Sequence, residues 1–269
     1  VTANSKKNSG GFQSKATTSI FYEAPSKNNP YVASTRYLHG YDLFQLIQKR
    51  SYVEVLFLLF QAELPTVEQV KIIETIMVAC MNPGPRHPAV RAAMNAGVSK
   101  SNHEHILPIG LMVLGGAEQG STEVERAIHF LLENSSNTPE QTAKLLSLKP
   151  KTEEGDWRIA PGFGSIYGEI DPQVDELANY LAQLSGTGKN LSWGQQFVES
   201  IREQKVGWLI SGLVAAVLAD LGFGAREAAG MFQLISSPGI LAHGLEQTHK
   251  PIFAMPLLED ENYVVKSEK

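Results

Sequence analysis

VGWLISGLVAAVLADL, Val206–Leu221, is sixteen residues of almost unbroken apolar sequence, closed by Asp220 and then Gly222. A helix that crosses a bilayer needs about 20 such residues, and a half-buried strand would alternate polar with apolar positions. The stretch therefore predicts a core helix, apolar all round and interior to a globule.

Helical patterns lie on both sides of it. Upstream, Asp42 caps Leu43–Gln48, Ser51 caps Tyr52–Gln61, and Pro65-Thr66 opens Val67–Cys80, where Val70, Ile73, Ile76 and Met77 recur at helical spacing. Ala89–Ala96 follows with Gly97 as its C-cap, then His105–Leu114, Thr122–Asn134 and a short helix from Thr138-Pro139-Glu140 to Leu148. Lys149–Trp157 is a polar connection. Downstream come Gln173–Leu184, a loop SGTGKNLS, Trp193–Gln204, the core helix, Ala225–Ile235, a break at Ser236–Gly239, and Ile240–Thr248. The inventory predicts an all-α protein.

Residues 1–30, rich in Ser, Asn and Lys, predict an irregular arm with a β-capable patch at Thr18–Tyr22. Residues 31–250 predict the helical domain, with a smaller subdomain within about 120–205, and residues 251–269 an extended tail. A net charge of −5 without a basic cluster predicts no nucleic-acid binding. No apolar leader and no spanning segment is visible, so the expectation is a cytoplasmic protein off the membrane. Cys80, the single cysteine, sits in an apolar helical run and reads as a buried, inert thiol.

One loop stands out among the helices. WRIAPGFGSIYGEIDP, Trp157–Pro172, carries Gly162, Gly164 and Gly168 before a helix start at Asp171-Pro172. Glycines of this kind admit either close approach of a ligand or tight packing of the backbone. GTGK, Gly186–Lys189, lacks the full spacing of a phosphate loop and reads as a solvent loop.

Several segments in order resemble the citrate synthase superfamily, particularly its compact citryl-CoA lyase-like members. They are HGYDLFQLIQKRSYVEVLFLLFQAELPT (His39–Thr66), MNPGP (Met81–Pro85), LPIGLMVLGGAEQGS (Leu107–Ser121), APGFGSIYGEIDP (Ala160–Pro172) and MFQLISSPGILAHGLEQ (Met231–Gln247). The resemblance implies a multi-helical fold with a large and a small domain, usually dimeric. It also implies carbon–carbon bond chemistry on an acyl-CoA, run by two histidines and an aspartate that hold an enol and shuttle its proton.

In this chain all three positions are replaced. The first histidine falls on Gln119, the second on Ser165, and the aspartate on Ser211. A further substrate histidine falls on Pro83, and the usual arginine of the late helix on Ser236. Amide and hydroxyl groups can hydrogen-bond a carbonyl, but Ser211 cannot act as a carboxylate base near neutral pH. Glu118, Tyr167 and Glu169 are candidate substitutes, standing in or beside the two turns. Arg86, His87 and Arg91 cluster at a helix start and are candidates for binding an anion, together with Gly162, Gly164 and Ser236. His103 and His105 lack a third ligand at a convincing spacing, so no metal is expected.

Two readings follow from this. In the first, the chain is a pseudo-enzyme or regulatory homologue, without a permanently bound cofactor, that keeps at most CoA, CoA-ester or carboxylate binding and works as a homodimer or beside a catalytic homologue. In the second, it is a divergent acyl-CoA carbon–carbon lyase or synthase acting on an unfamiliar substrate through replacement residues.

Overall fold

The computed structural model describes residues 16–147 and 158–266. The start of the expected arm, Lys149–Trp157 and the last three residues lie outside the described residues. The chain divides into two compact units, Val1–Leu64 and Pro65–Lys269.

In the first unit, β1 (Phe21–Pro25), β2 (Ala33–Leu38) and β3 (Tyr41–Asp42) form an antiparallel sheet in that order, followed by α1 (Leu43–Lys49) and α2 (Tyr52–Gln61). The irregular arm is thus corrected at Phe21–Pro25, which is a strand paired with β2 from Phe21↔Leu38 to Pro25↔Ala33. Its partner supplies the order that its own short sequence does not, and the rings of Tyr22 and Tyr37 stack across the pair. Both helices begin where expected. Asp42 accepts from the Gln45 N–H, and Ser51 and Glu54 form a reciprocal capping box. Leu38, Leu46 and Leu58 make the core of this unit.

The second unit is helical: α3 (Val67–Cys80), α4 (Pro88–Val98), α5 (His103–Leu114), α6 (Ser121–Asn134), α7 (Pro139–Ser147), α8 (Pro172–Gln183), α9 (Lys189–Ile201), α10 (Ile210–Asp220) and α11 (Ala225–Gln247). The all-α expectation holds, and Ser211–Leu218 of α10 are buried without exception. α10 packs against α6, α9 and α11, while α11 also covers α4 and α5. No helix among the described residues is long and apolar enough to cross a membrane.

Four local expectations are corrected, each for a tertiary reason. Gly207-Trp208 belongs to a strand, β5, paired with β4 (Phe163–Gly164) inside the glycine loop, so α10 starts later than its apolar run. The SGTGKNLS loop already contains the start of α9. Asp220 at the far end of α10 accepts from the N–H groups of Asn190 and Leu191, both at 2.9 Å, and so caps that helix from a distance. Gly97 does not end α4. It lies within the helix where α11 crosses, and a Cβ there would stand 2.2 Å from the Gly244 carbonyl oxygen.

Ser236–Gly239 does not break α11. Pro238 cannot bond the Leu234 carbonyl, and the Ser237 hydroxyl donates to that oxygen instead at 2.7 Å. The Gly239 N–H leaves the helix ladder to bond the Met81 carbonyl at 2.8 Å. A Cβ on Gly239 would lie 2.5 Å from Asn82 Cα, so the proline-glycine pair docks the MNPGP loop onto the helix.

A Cβ on Gly212 would meet the Gly162 oxygen at 2.1 Å, whereas exposed Gly230 in α11 has open space around it. Gly212→Ala is expected to cost about 1–3 kcal/mol or more in urea unfolding. Gly230→Ala should add about 0.5–1 kcal/mol in the same measurement, because alanine restricts the unfolded chain more than glycine.

Candidate functional site

Between α5 and α6 the chain makes the turn that holds Gln119. Its φ of +57° lies in the left-handed region, an uncommon place for glutamine. Two side chains hold it there. The Glu123 carboxylate accepts the Gln119 N–H at 2.9 Å, and His87 Nε2 lies 3.0 Å from the Gln119 carbonyl oxygen. His87 Nδ1 accepts from the Ala89 N–H at 3.2 Å, so the proton sits on Nε2 and donates to Gln119. The imidazole is occupied by backbone at both nitrogens.

The glycine loop is fixed at several points. Ser165 is 3% exposed and donates its hydroxyl to the Glu169 carbonyl at 2.7 Å. Gly164 pairs with Gly207 in the small sheet. Gly162, at φ +79°, packs against the α10 backbone: a Cβ there would lie 2.4 Å from Gly212 Cα. Tyr167 is 75% exposed.

Ser211, in the first turn of α10, is 1% exposed. Its hydroxyl lies close enough to Glu123 to favour the ionised carboxyl, but makes no hydrogen bond of normal geometry. Ser236 is fully buried on α11, and its hydroxyl has no partner among the described residues.

Glu123 is the residue that the sequence did not single out. It occupies the first turn of α6, where an acid reads as ordinary helix chemistry. Yet it is only 3% exposed, and it stands between Gln119 and Ser211. Burial pushes its carboxyl above the usual range, the neighbouring Glu118 charge adding slightly. The Ser211 hydroxyl, the Gln119 N–H and the charge of Arg158 oppose that rise.

Two cavities flank these turns. One, of about 260 Å³, is lined by Glu118, Glu123, Arg126 and Arg158 with Ile159–Pro161, and Arg158 forms an ion pair with Glu118. The other, of about 560 Å³, is lined by Arg86, Arg91, Tyr167 and Met94 with Ala254–Pro256. The candidate substitutes are therefore separated. Glu118 faces the smaller cavity, Tyr167 the larger, and Glu169 lines neither. No group of three His, Cys, Asp or Glu side chains suited to a metal ion occurs among the described residues. Cys80 is buried, and its thiol is pushed up to about 12, as expected of an inert cysteine.

This architecture defines a protein with the fold of citrate synthases and citryl-CoA lyases. The chain aligns with citryl-CoA lyase from Hydrogenobacter thermophilus at a TM-score of 0.75 and 24% identity, covering 94% of this chain and 95% of that one. It aligns with ATP citrate lyase from Methanothrix soehngenii, in complex with citrate and coenzyme A, at 0.71 and 16%, covering 95% of this chain and 44% of that one. Citrate synthase from Thermotoga maritima aligns at 0.55 and 13%, over 94% of each chain. This chain thus spans less than half of the ATP citrate lyase polypeptide. No family model and no curated protein matches the sequence. At such identities the likeness is one of fold.

A carboxyl whose proton is held more tightly in the folded state stabilises the fold below its unfolded pKa, and that contribution is lost as pH rises through the folded value. Glu123 is such a group, raised from 4.5. The melting temperature of Glu123→Gln relative to wild type should therefore climb as pH rises above the ordinary carboxylate range. Calorimetric melts across that range would read the difference, and a flat difference would contradict the assignment.

Proposed function

We propose that the chain is a CoA-ester- or carboxylate-binding protein of the citrate synthase superfamily that does not use the superfamily's His/His/Asp chemistry. It works in the cytoplasm as a homodimer or beside a catalytic homologue. One observation carries this reading: Gln119, Ser165 and Ser211 bring no ionisable group, and each is tied into the framework. The Gln119 peptide is bracketed by His87 and Glu123, the Ser165 hydroxyl is spent on Glu169, and Ser211 is enclosed. A proton-transfer cycle needs a group that gains and loses a proton at working pH, and an aliphatic hydroxyl or amide does not.

Binding draws support from the larger cavity. Arg86 and Arg91 face it without an ion pair among the described residues, beside Tyr167. Guanidinium groups bind phosphate and carboxylate through paired N–H bonds, while Met94, Met255 and Pro256 offer an apolar wall to an acyl or pantetheine arm. The ATP citrate lyase of similar fold binds citrate and coenzyme A.

Calorimetric titration of the whole chain with CoA, acetyl-CoA and citrate is the test. At least one should bind, and Arg86→Ala and Arg91→Ala should each weaken it by about tenfold or more, the worth of a hydrogen bond to a charged group. Absence of binding at millimolar ligand, or acceleration of citryl-CoA cleavage, overturns the reading.

The divergent-enzyme reading is favoured by Glu123, the buried carboxyl that touches both the Gln119 turn and the surroundings of Ser211. Its signature is exchange of acetyl-CoA methyl protons with D2O, followed by NMR. Exchange that wild type catalyses and Glu123→Gln abolishes would establish it at the expense of the non-catalytic reading.

A further inference from the structure

The smaller cavity presents charges that do not satisfy one another. Glu123 and Arg126 stand three residues apart on α6, a spacing at which acidic and basic side chains commonly close into a pair. Both line the cavity, yet no ion pair joins them. The Arg158 guanidinium is engaged with Glu118. Glu123 accepts the Gln119 N–H and feels Arg158 as a nearby charge, but has no cation in contact among the described residues. Arg126 is exposed and has no acidic partner among the described residues. A buried carboxylate with no cation in contact and a guanidinium with no anion in contact, among the described residues, therefore both line a space of about 260 Å³. Ile159, Ala160 and Pro161 add an apolar part to the lining.

We propose that this cavity binds a small zwitterion, an α-amino acid with a short side chain, its ammonium on Glu123 and its carboxylate on Arg126. A simple anion would bring a second negative charge against Glu123 and Glu118, and a simple amine would leave Arg126 unpaired and approach Arg158. A ligand with an ammonium and a carboxylate on one carbon offers each of the two groups its counter-charge. The ammonium compensates the desolvated Glu123, and the side chain packs on Ile159 and Ala160. The volume lies below the usual range for drug-sized ligands, which suits a small molecule. The site shares no lining residue with the Arg86–Arg91 cavity, and so goes beyond the binding function proposed above.

The test is calorimetry of the full chain against glycine, L-alanine, L-serine and the other common amino acids, with acetate and ethylammonium as analogues lacking one charge. At least one small amino acid should bind, and each analogue should bind about tenfold more weakly or worse, the mark of a lost ionic contact. Arg126→Ala, at an exposed position, keeps the fold and should lose the affinity by a similar factor, as should Glu123→Gln. Arg86→Ala should leave amino-acid binding intact. Equal binding of acetate or ethylammonium, binding that survives Arg126→Ala, or failure of every amino acid at millimolar concentration overturns the proposal. CoA titration of the same sample reports on the Arg86–Arg91 cavity separately.

Discussion

The contact on which this site depends is between two glycines. The Gly162 carbonyl accepts the Leu209 N–H at 3.0 Å at the mouth of α10, and Gly162 lies so near Gly212 that neither residue can carry a side chain. A Cβ on Gly162 would also come within 2.9 Å of Ala127 in α6. One point of backbone contact therefore joins the glycine loop to two helices. Ser165 lies three residues beyond it, Ser211 one residue before Gly212, and Glu123 one helical turn before Ala127. Displacing the loop would move all three, because close-packed interiors pass strain on rather than absorbing it.

Aromatic packing holds that contact under load. Phe163 lies 4.5 Å from Trp208 between ring centroids and 4.8 Å from Phe197, which stacks on Trp193 at 5.2 Å. The two-residue strands β4 and β5 would be negligible in isolation, and they persist because these rings bury both of them. Gly162 and Gly164 thus answer to the protein's own backbone. Room for a ligand lies instead in the cavities that flank the loop.

Much of the helical plan was legible in sequence because its signals are local. Ser51 with Glu54, Thr66 with Gln69, and Asp171 before Pro172 are caps whose partners lie within one turn. The features that escaped depend on distant partners. Asp220 caps α9 across thirty residues of chain, and Met81 accepts the Gly239 N–H that leaves the α11 ladder beside Pro238. Gln119, Ser165 and Ser211 were identified through resemblance. Glu123 carries no sequence signal of its own, because an acid at a helix N-terminus has an ordinary explanation and only burial separates this one from others.

That burial bears on the chemistry open to this site. A packing role at position 123 would be met by an apolar side chain at no cost in desolvation, whereas an enclosed carboxyl is expensive unless something compensates it. One N–H from Gln119 and a poorly aligned hydroxyl from Ser211 are partial compensation, and the raised proton affinity of Glu123 expresses the remainder. The environment thus favours a proton, or an added cation, on that carboxyl. Gln119, Ser165 and Ser211 carry no ionisable side chain, so the group beside them that can exchange charge is Glu123, on a different helix.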